Sequence, residues 1–251
     1  MIKFIELLEK FKPIVVGNNI LINDDCFNVM SHIPNKSVDL IICDLPYGTT
    51  KNKWDIILPF DKLWIEYERI IKPKGNIILF GTGLFAYKLA LSNEKLFRYD
   101  MIWKKSKCGS PLTAKYMPLK KHEMILAFGK SASTYNPQMT EGTPYKRQWT
   151  PNKINNMEYG IAGVQTNNKG TRHPITILDF PQKWRRQDQI HPTQKPIELM
   201  DWLIKSYSND GDIIMDNCMG SNSVGKACEI FDRTYIGIEK DTTYYNIVIN
   251  N

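Results

Sequence analysis

Six consecutive residues, Val38-Asp39-Leu40-Ile41-Ile42-Cys43, carry one charge among five apolar side chains. A short apolar run without polar alternation reads as a strand covered on both faces. Such a strand belongs in a mostly parallel sheet with helices on either side. The neighbouring pattern agrees. Leu21 to Asp24 reads as a short strand and Cys26 to Ile33 as a helix stopped by Pro34. Phe60 to Ile71 has helical spacing of Leu63, Trp64, Tyr67 and Ile70, and the turn Pro73-Lys74-Gly75 leads to an apolar strand from Asn76 to Phe80. Leu84 to Leu91 is helical, and Tyr99 to Trp103 and Met124 to Phe128 are strands. Later, Pro196 to Tyr207 reads as a helix and Asp212 to Asp216 as a strand. A glycine loop, a helix to Phe231, the strand Tyr235 to Glu239 and a short last helix follow. The β-α alternation is that of an α/β domain.

Between these blocks periodicity fails. From Lys130 to about Gln189 the chain is polar, with Tyr135, Tyr145, Trp149, Tyr159, Phe180 and Trp184 interleaved. A long irregular stretch in a compact domain is usually functional or disordered. Charge singles out the same region. Residues 104–195 hold 16 Lys and Arg against 5 Asp and Glu, a net of +11 in a chain of net +7, so the remainder is −4. One reading is a solvated basic surface; the sharper one is a face that neutralises nucleic-acid phosphates. The 251 residues suit one α/β domain with an insertion. Cys26, Cys43, Cys108, Cys218 and Cys228 are scattered without zinc-ligand spacing, which fits a reducing, cytoplasmic compartment. Met1 to Lys12 is charged and amphipathic rather than a signal peptide. No apolar run approaches the ~20 residues that span a bilayer.

Directly after the opening strand come Asp44, Leu45, Pro46 and Tyr47. Ligands of open α/β sheets bind at the carboxyl ends of strands. A carboxylate and a backbone carbonyl are both acceptors. Together they suit the two protons of an exocyclic amine while the tyrosine stacks on the heterocycle carrying it; adenine fits. The plain alternative is a strand end followed by a turn.

A second constellation lies near the C-terminus. Ile213-Ile214-Met215-Asp216 runs into Asn217-Cys218-Met219-Gly220-Ser221-Asn222-Ser223, and Glu239 ends the next strand, 19 residues after Gly220. This is the layout of a nucleotide-binding βαβ unit, with an acid placed for ribose hydroxyls. Gly220 to Lys226 approaches a P-loop, but Ala227 replaces the hydroxyl that holds magnesium. The dinucleotide spacing GxGxxG is also missing. A looser glycine loop after an acid suits a ligand without phosphate.

Asp44-Leu45-Pro46-Tyr47 resembles the Asp-Pro-Pro-Tyr signature of amino-methylating DNA methyltransferases, with Leu45 where the family usually has proline. The family uses the backbone carbonyl there, which leucine also supplies. His191-Pro192-Thr193-Gln194-Lys195-Pro196 is similar to the segment that precedes the glycine strand in that family, and Asp24-Asp25-Cys26 to the one that meets the cofactor adenine. The run His122 to Phe128 also matches. The tetrapeptide comes before the basic region and the glycine loop after it, an order that resembles the β class. The resemblance implies a Rossmann-like sheet typical of methyltransferases dependent on S-adenosylmethionine (SAM). It would be mostly parallel with one antiparallel strand, circularly permuted, with an irregular inserted target-recognition region. It implies a catalytic part over 1–129, a recognition region over 130–188 and a cofactor part over 189–251. Asp44, Leu45, Pro46 and Tyr47 would be catalytic. Asp24, Asp25, Cys26, Asp44, Thr193, Lys195, Asp216, Cys218, Gly220, Ser221, Asn222, Ser223, Glu239 and Lys240 would bind SAM, with no metal.

The implied reaction moves a methyl group from SAM to adenine N6 in duplex DNA after base flipping. No covalent nucleophile is needed, and the Pro-Cys dipeptide of cytosine-C5 enzymes is absent. The cytosine-N4 reaction is the first alternative; that group more often has serine at position 44. A non-catalytic DNA-binding module is the second. Motif order argues against RNA and protein substrates. His122 and His191 are read as structural. Trp54 and Asp55 are candidates for a loop closing over the target, and Gly109, Ser110 and nearby lysines for phosphate contacts. Analogy with the family adds double-stranded DNA, a homodimer and a cognate restriction endonuclease as partners, and a composition rich in Lys, Ile and Asn points to a bacterial or phage cytoplasm as the location.

Overall fold

The computed structural model describes residues 2–50, 52, 54–109, 111–130, 132–147, 166–181 and 194–250. The chain divides into two compact units, Met1–Asn136 with Thr176–Asn251, and Pro137–Ile175.

The larger unit is built on a nine-stranded sheet. Its strands are β1 (Ile14–Val16), β2 (Asn19–Asn23), β3 (Val38–Cys43), β4 (Ile71–Gly81), β5 (Phe97–Lys104), β6 (His122–Gly129), β11 (Ile177–Asp179), β12 (Ile213–Asp216) and β13 (Thr234–Glu239). The spatial order is β1-β2-β13-β12-β3-β4-β6-β5-β11. Neighbours from β2 to β4 all run parallel. β6 runs antiparallel to both β4 and β5, and the edge strand β1 is antiparallel to β2. The smaller unit contains two two-stranded ribbons, β7 (Thr140–Glu141) with β10 (Thr171–Arg172) and β8 (Tyr145–Arg147) with β9 (Thr166–Asn168).

The expected burial of β3 holds: apart from Asp39, its residues are fully buried. Alternate residues feed two separate cores. Ile41 and Cys43 pack with Ile77, Leu79, Met215 and Ile236 under α2 (Cys26–Met30), α3 (Phe60–Ile70) and α4 (Gly83–Leu91). Leu40 and Ile42 pack with Ile78, Ile125 and Ile214 under α5 (Ile197–Tyr207) and α6 (Ser223–Ile230). A short α1 (Ile2–Leu8) and a closing α7 (Thr242–Ile249) complete the helices. No helix among the described residues is long and apolar enough to cross a membrane.

Three local differences from the sequence reading have physical causes. The Pro73-Lys74-Gly75 turn falls within β4 as a bulge, because β3 advances from Val38 to Leu40 while β4 advances from Ile71 to Asn76. A Cβ on Gly75 would lie 2.7 Å from the Asp39 carbonyl, so the strands could not close there with a larger residue. Helix α2 stops at Met30 rather than Ile33, and the Arg69 guanidinium donates to the Met30 and Ile33 carbonyls at 2.6 and 2.7 Å. Strand β11 lies inside the stretch read as irregular; three residues on a sheet edge leave too little pattern to detect.

Helix α3 is tied to the glycine loop by the Tyr67 hydroxyl, fully buried, which donates to Asn217 Oδ1 at 2.5 Å. Replacing Tyr67 with Phe strands a buried acceptor and is expected to cost about 1–3 kcal/mol, measured as a lowered urea midpoint at unchanged slope.

Candidate active site

The parallel strands β2, β3, β12 and β13 end at the same edge of the sheet, and their last residues lead into Asp24, Asp44, Asp216 and Glu239. β6 runs the other way, so its start brings Glu123 to that edge. A cavity of about 620 Å³ opens there. Its walls include the tetrapeptide Asp44, Leu45, Pro46 and Tyr47 from β3 and Asp216, Cys218, Gly220, Ser221 and Ser223 from the glycine loop. Glu239 ends β13 and Lys240 follows it, Asp25 and Cys26 follow β2, and Lys195 precedes α5. Fourteen of the predicted site residues therefore share one cavity.

The rest lie elsewhere. Asp24 is not in the wall; its carboxylate accepts from the Asp25 amide at 2.6 Å and from the Asn28 side chain at 3.0 Å. Asn222 is buried in a left-handed conformation (φ 59°) at the start of α6 and does not line the cavity. Thr193 lies outside the described residues, as do His191 and Ser110. His122 is exposed at the start of β6, and the Gly109 amide closes its own loop on the Lys120 carbonyl at 2.8 Å.

The tetrapeptide is held by charge and stacking. The Tyr47 hydroxyl donates to Asp44 Oδ1 at 2.5 Å, and its ring lies 4.8 Å from that of Phe85. The Lys195 ammonium donates to Asp44 Oδ2 and sits 3.3 Å from Glu123 Oε2. Lys105 reaches the other Glu123 oxygen at 2.6 Å. Burial pushes the Asp44 carboxyl above its ordinary value against the pull of Lys195, and Glu123 adds to the upward shift. Burial also opposes ionisation of Glu123, but Lys195 and Lys105 outweigh it and hold that carboxyl below its usual range. Burial disfavours the Lys195 ammonium, yet the two carboxylates raise it above an ordinary lysine. Burial and the Asp44 charge keep the Tyr47 hydroxyl protonated.

The glycine loop is set by its own acids. Glu239 accepts the Gly220 amide at 2.9 Å and the Asp241 amide at 2.8 Å. Gly220 has φ 51°, a left-handed turn that glycine adopts without penalty. Asp216 accepts the Cys218 amide at 3.0 Å, while burial raises its carboxyl to about 7. Lys226 stays out of the cavity, so the P-loop reading has no lysine at the ligand. Asp25 caps α2 and pairs with Lys240 at 3.0 Å.

The sequence reading missed Glu123 as a site residue; its one visible signal is a carboxylate at the start of an otherwise apolar strand. It also gave Asp55 no acceptor role. Asp55 is buried and takes the amides of Gly48, Thr49 and Thr50 at 2.8, 2.9 and 2.6 Å, folding the chain after the tetrapeptide back into the cavity wall.

Fold and site together define a mostly parallel α/β domain whose cavity joins the strand end that carries Asp44 and Tyr47 to a glycine loop. Residues 38–250 match the DNA methylase family of N6-adenine and N4-cytosine type, and the chain belongs to it. The type II methyltransferase M.HpaI of Haemophilus parainfluenzae is 28% identical over 238 residues, which are 89% of this chain and 71% of that protein. The DNA adenine methyltransferase YhdJ of Escherichia coli (strain K12) is 28% identical over 248 residues, 93% of this chain and 83% of its own. The solved structure of the M1.HpyAVI–SAM complex aligns with a TM-score of 0.62 at 22% identity, covering 92% of this chain and 98% of the other. The cytosine-N4-specific PvuII DNA methyltransferase aligns at 0.68 and 16% identity, covering 94% and 86%. At such identities these two share the fold.

The raised Asp216 carboxyl has a consequence for stability. Its stabilising contribution is complete below the unfolded carboxyl range, about 4, and is lost as pH rises through its folded value of about 7. Relative to Asp216→Asn, the natural protein should lose stability steadily between these values, read from urea midpoints at successive pH.

Proposed function

We propose that this chain methylates adenine N6 in duplex DNA, with SAM as donor and with the target base flipped out of the helix. The observation that carries the reading is the shared cavity: Asp44 to Tyr47 face the same space as Asp216 to Ser221 and Ser223 of the glycine loop.

The lining suits SAM. The carboxylates of Asp216 and Glu239 end adjacent parallel strands, an arrangement that accepts bonds from ribose hydroxyls or an ammonium. The two lining lysines are already committed to carboxylates, Lys195 to Asp44 and Lys240 to Asp25, so the wall is not an anion cradle. Asp25, Cys26, Asp216, Cys218, Gly220, Ser221, Ser223, Glu239 and Lys240 would hold the cofactor. Bound there, SAM supplies a methyl group activated by its sulfonium.

The protein's own residues act on the target. Adenine N6 is a poor nucleophile because its lone pair is delocalised into the ring. Asp44 and the Leu45 carbonyl accept its two hydrogens, which favours a more pyramidal nitrogen with its lone pair available. The Tyr47 hydroxyl yields Asp44 Oδ1 to the amine as the ring turns onto the flipped base. Positioning and fixed electrostatics provide much of the rate. The proton shed by the methylated nitrogen leaves through Asp44 or water.

Residues 130–188 serve as the target-recognition region in this reading, supported by their charge and interleaved aromatics. The type II relatives support a cognate endonuclease as a functional partner. The adenine name of YhdJ and the aspartate at position 44 favour adenine over cytosine.

Nucleoside mass spectrometry on unmethylated duplex DNA incubated with protein and SAM should yield N6-methyladenine. N4-methylcytosine would overturn the base assignment, and no methylated base with SAM bound would favour the non-catalytic module. Asp44→Ala is expected to lower kcat at least ~100-fold, the scale seen when one preorganised polar group is removed, with SAM binding still detectable in calorimetry.

A further inference from the structure

Lys195, Glu123 and Asp44 come from three distant segments, and nothing in the transfer reaction described above uses the first two. Their side chains retain only 7%, 13% and 21% exposure. A lysine is rarely buried to this degree without carboxylate partners. Here one ammonium serves two carboxylates, bonded to Asp44 and 3.3 Å from Glu123. Its backbone carbonyl accepts the Ser223 hydroxyl at 3.1 Å, and its charge lies 5.0 Å over the Phe80 ring. Asp44 and Lys195 line the cavity; Glu123 does not.

We propose that Lys195 and Glu123 are positioning residues that set the charge and freedom of Asp44. The inference rests on the reading of Asp44 as acceptor for the target amine. Lys195 keeps the Asp44 carboxylate ionised, because a protonated carboxyl would lose an acceptor and present a donor to the amine. Glu123 takes a share of the Lys195 charge, so the ammonium does not lock onto Asp44 and the carboxylate can turn to the base. Lys105 anchors the far side of Glu123 at 2.6 Å and so fixes how the charge is shared.

The division of labour has a signature. Among the described residues, the groups facing Asp44 are Lys195 ahead of α5, Glu123 on β6, Tyr47 on its own loop, Asp216 at the end of β12 and Cys218 just beyond it. Removing the lysine leaves Asp44 and Glu123 as neighbouring carboxylates without their shared cation, and the pair holds a proton more tightly. Removing the Glu123 charge leaves Lys195 to Asp44 alone. The two substitutions must therefore move Asp44 in opposite directions. A residue that only fills space there has no reason to do so, and one whose charge reaches Asp44 without serving the reaction would leave kcat unchanged.

The test is a carboxyl-carbon NMR titration of the free protein labelled with 13C-aspartate, the Asp44 signal being assigned by its loss in Asp44→Asn. Glu123→Gln, which keeps size and hydrogen-bonding capacity, should lower the Asp44 midpoint by about one pH unit, and Lys195→Met should raise it by at least about one. Thermal melts verify that each variant is folded; should Lys195→Met fail to fold, Glu123→Gln alone carries the sign. A downward shift in Glu123→Gln accompanied by a several-fold lower kcat at unchanged SAM affinity supports the proposal. An unmoved or raised midpoint in folded Glu123→Gln, or a lowered one in Lys195→Met, overturns it. Because the titration needs neither DNA nor SAM, it separates two failures. Opposite shifts in a protein that methylates no DNA would sink the functional reading alone; normal methylation without the shifts would sink the positioning roles alone.

Discussion

The parallel pairing of β2, β13, β12 and β3 is the constraint on which the site depends. Parallel strands point their carboxyl ends the same way, and both faces of such a sheet are sealed by helices. Polar groups can then gather only where the strands stop. Asp44 and Asp216 follow directly from this, since β3 and β12 are hydrogen-bonded neighbours whose last residues are Cys43 and Asp216. Glu239 belongs to the same row through β13. The reversed strand β6 breaks the rule to good effect: it offers its first turn of residues to an edge otherwise made of strand ends. Tyr67 then braces the glycine loop from below, through a helix that carries no site residue.

The cost of concentrating acids at one buried edge is visible in their ionisation. Asp44, Asp216 and Glu239 are all raised by burial, while Glu123, with two lysines, is held down. The protein meets this with local partners: backbone amides for Asp216 and Glu239, and an ammonium for Asp44. A full countercharge stands beside the acid proposed to face the reacting nitrogen.

Much of this was legible in the sequence. The bounds of β3 are those of its apolar run, and α3 ends within one residue of its predicted limit, because both elements bury whole faces and so write a strong pattern. The strand-end acids Asp216 and Glu239 were visible because they directly follow such runs. What depended on contacts between distant segments was not legible. The cluster of Asp44, Glu123 and Lys195 spans separations no periodicity encodes. Lys195 was read as a cofactor residue from its motif, and it lines the cavity; that its ammonium also meets Asp44 could not be read from that motif. Edge strands β1 and β11, three residues each and partly exposed, leave no distinctive alternation. Asp55 looked like part of a loop because its partners are backbone amides, which leave no trace in side-chain identity.

The register of the central ladder also bears on how the chain must come together during synthesis. Leu40 of β3 is paired with Ile214 of β12, and Asn23 of β2 with Glu239 of β13. The N-terminal strands therefore emerge from the ribosome long before their inner neighbours exist. Until then an apolar strand edge stands open, bordered on its other side by β4 alone. Such non-local pairing slows folding and exposes edges to wrong partners. The nascent chain thus keeps an apolar edge of β3 open to wrong partners until residues 213–216 have been made, and one of β2 for longer still.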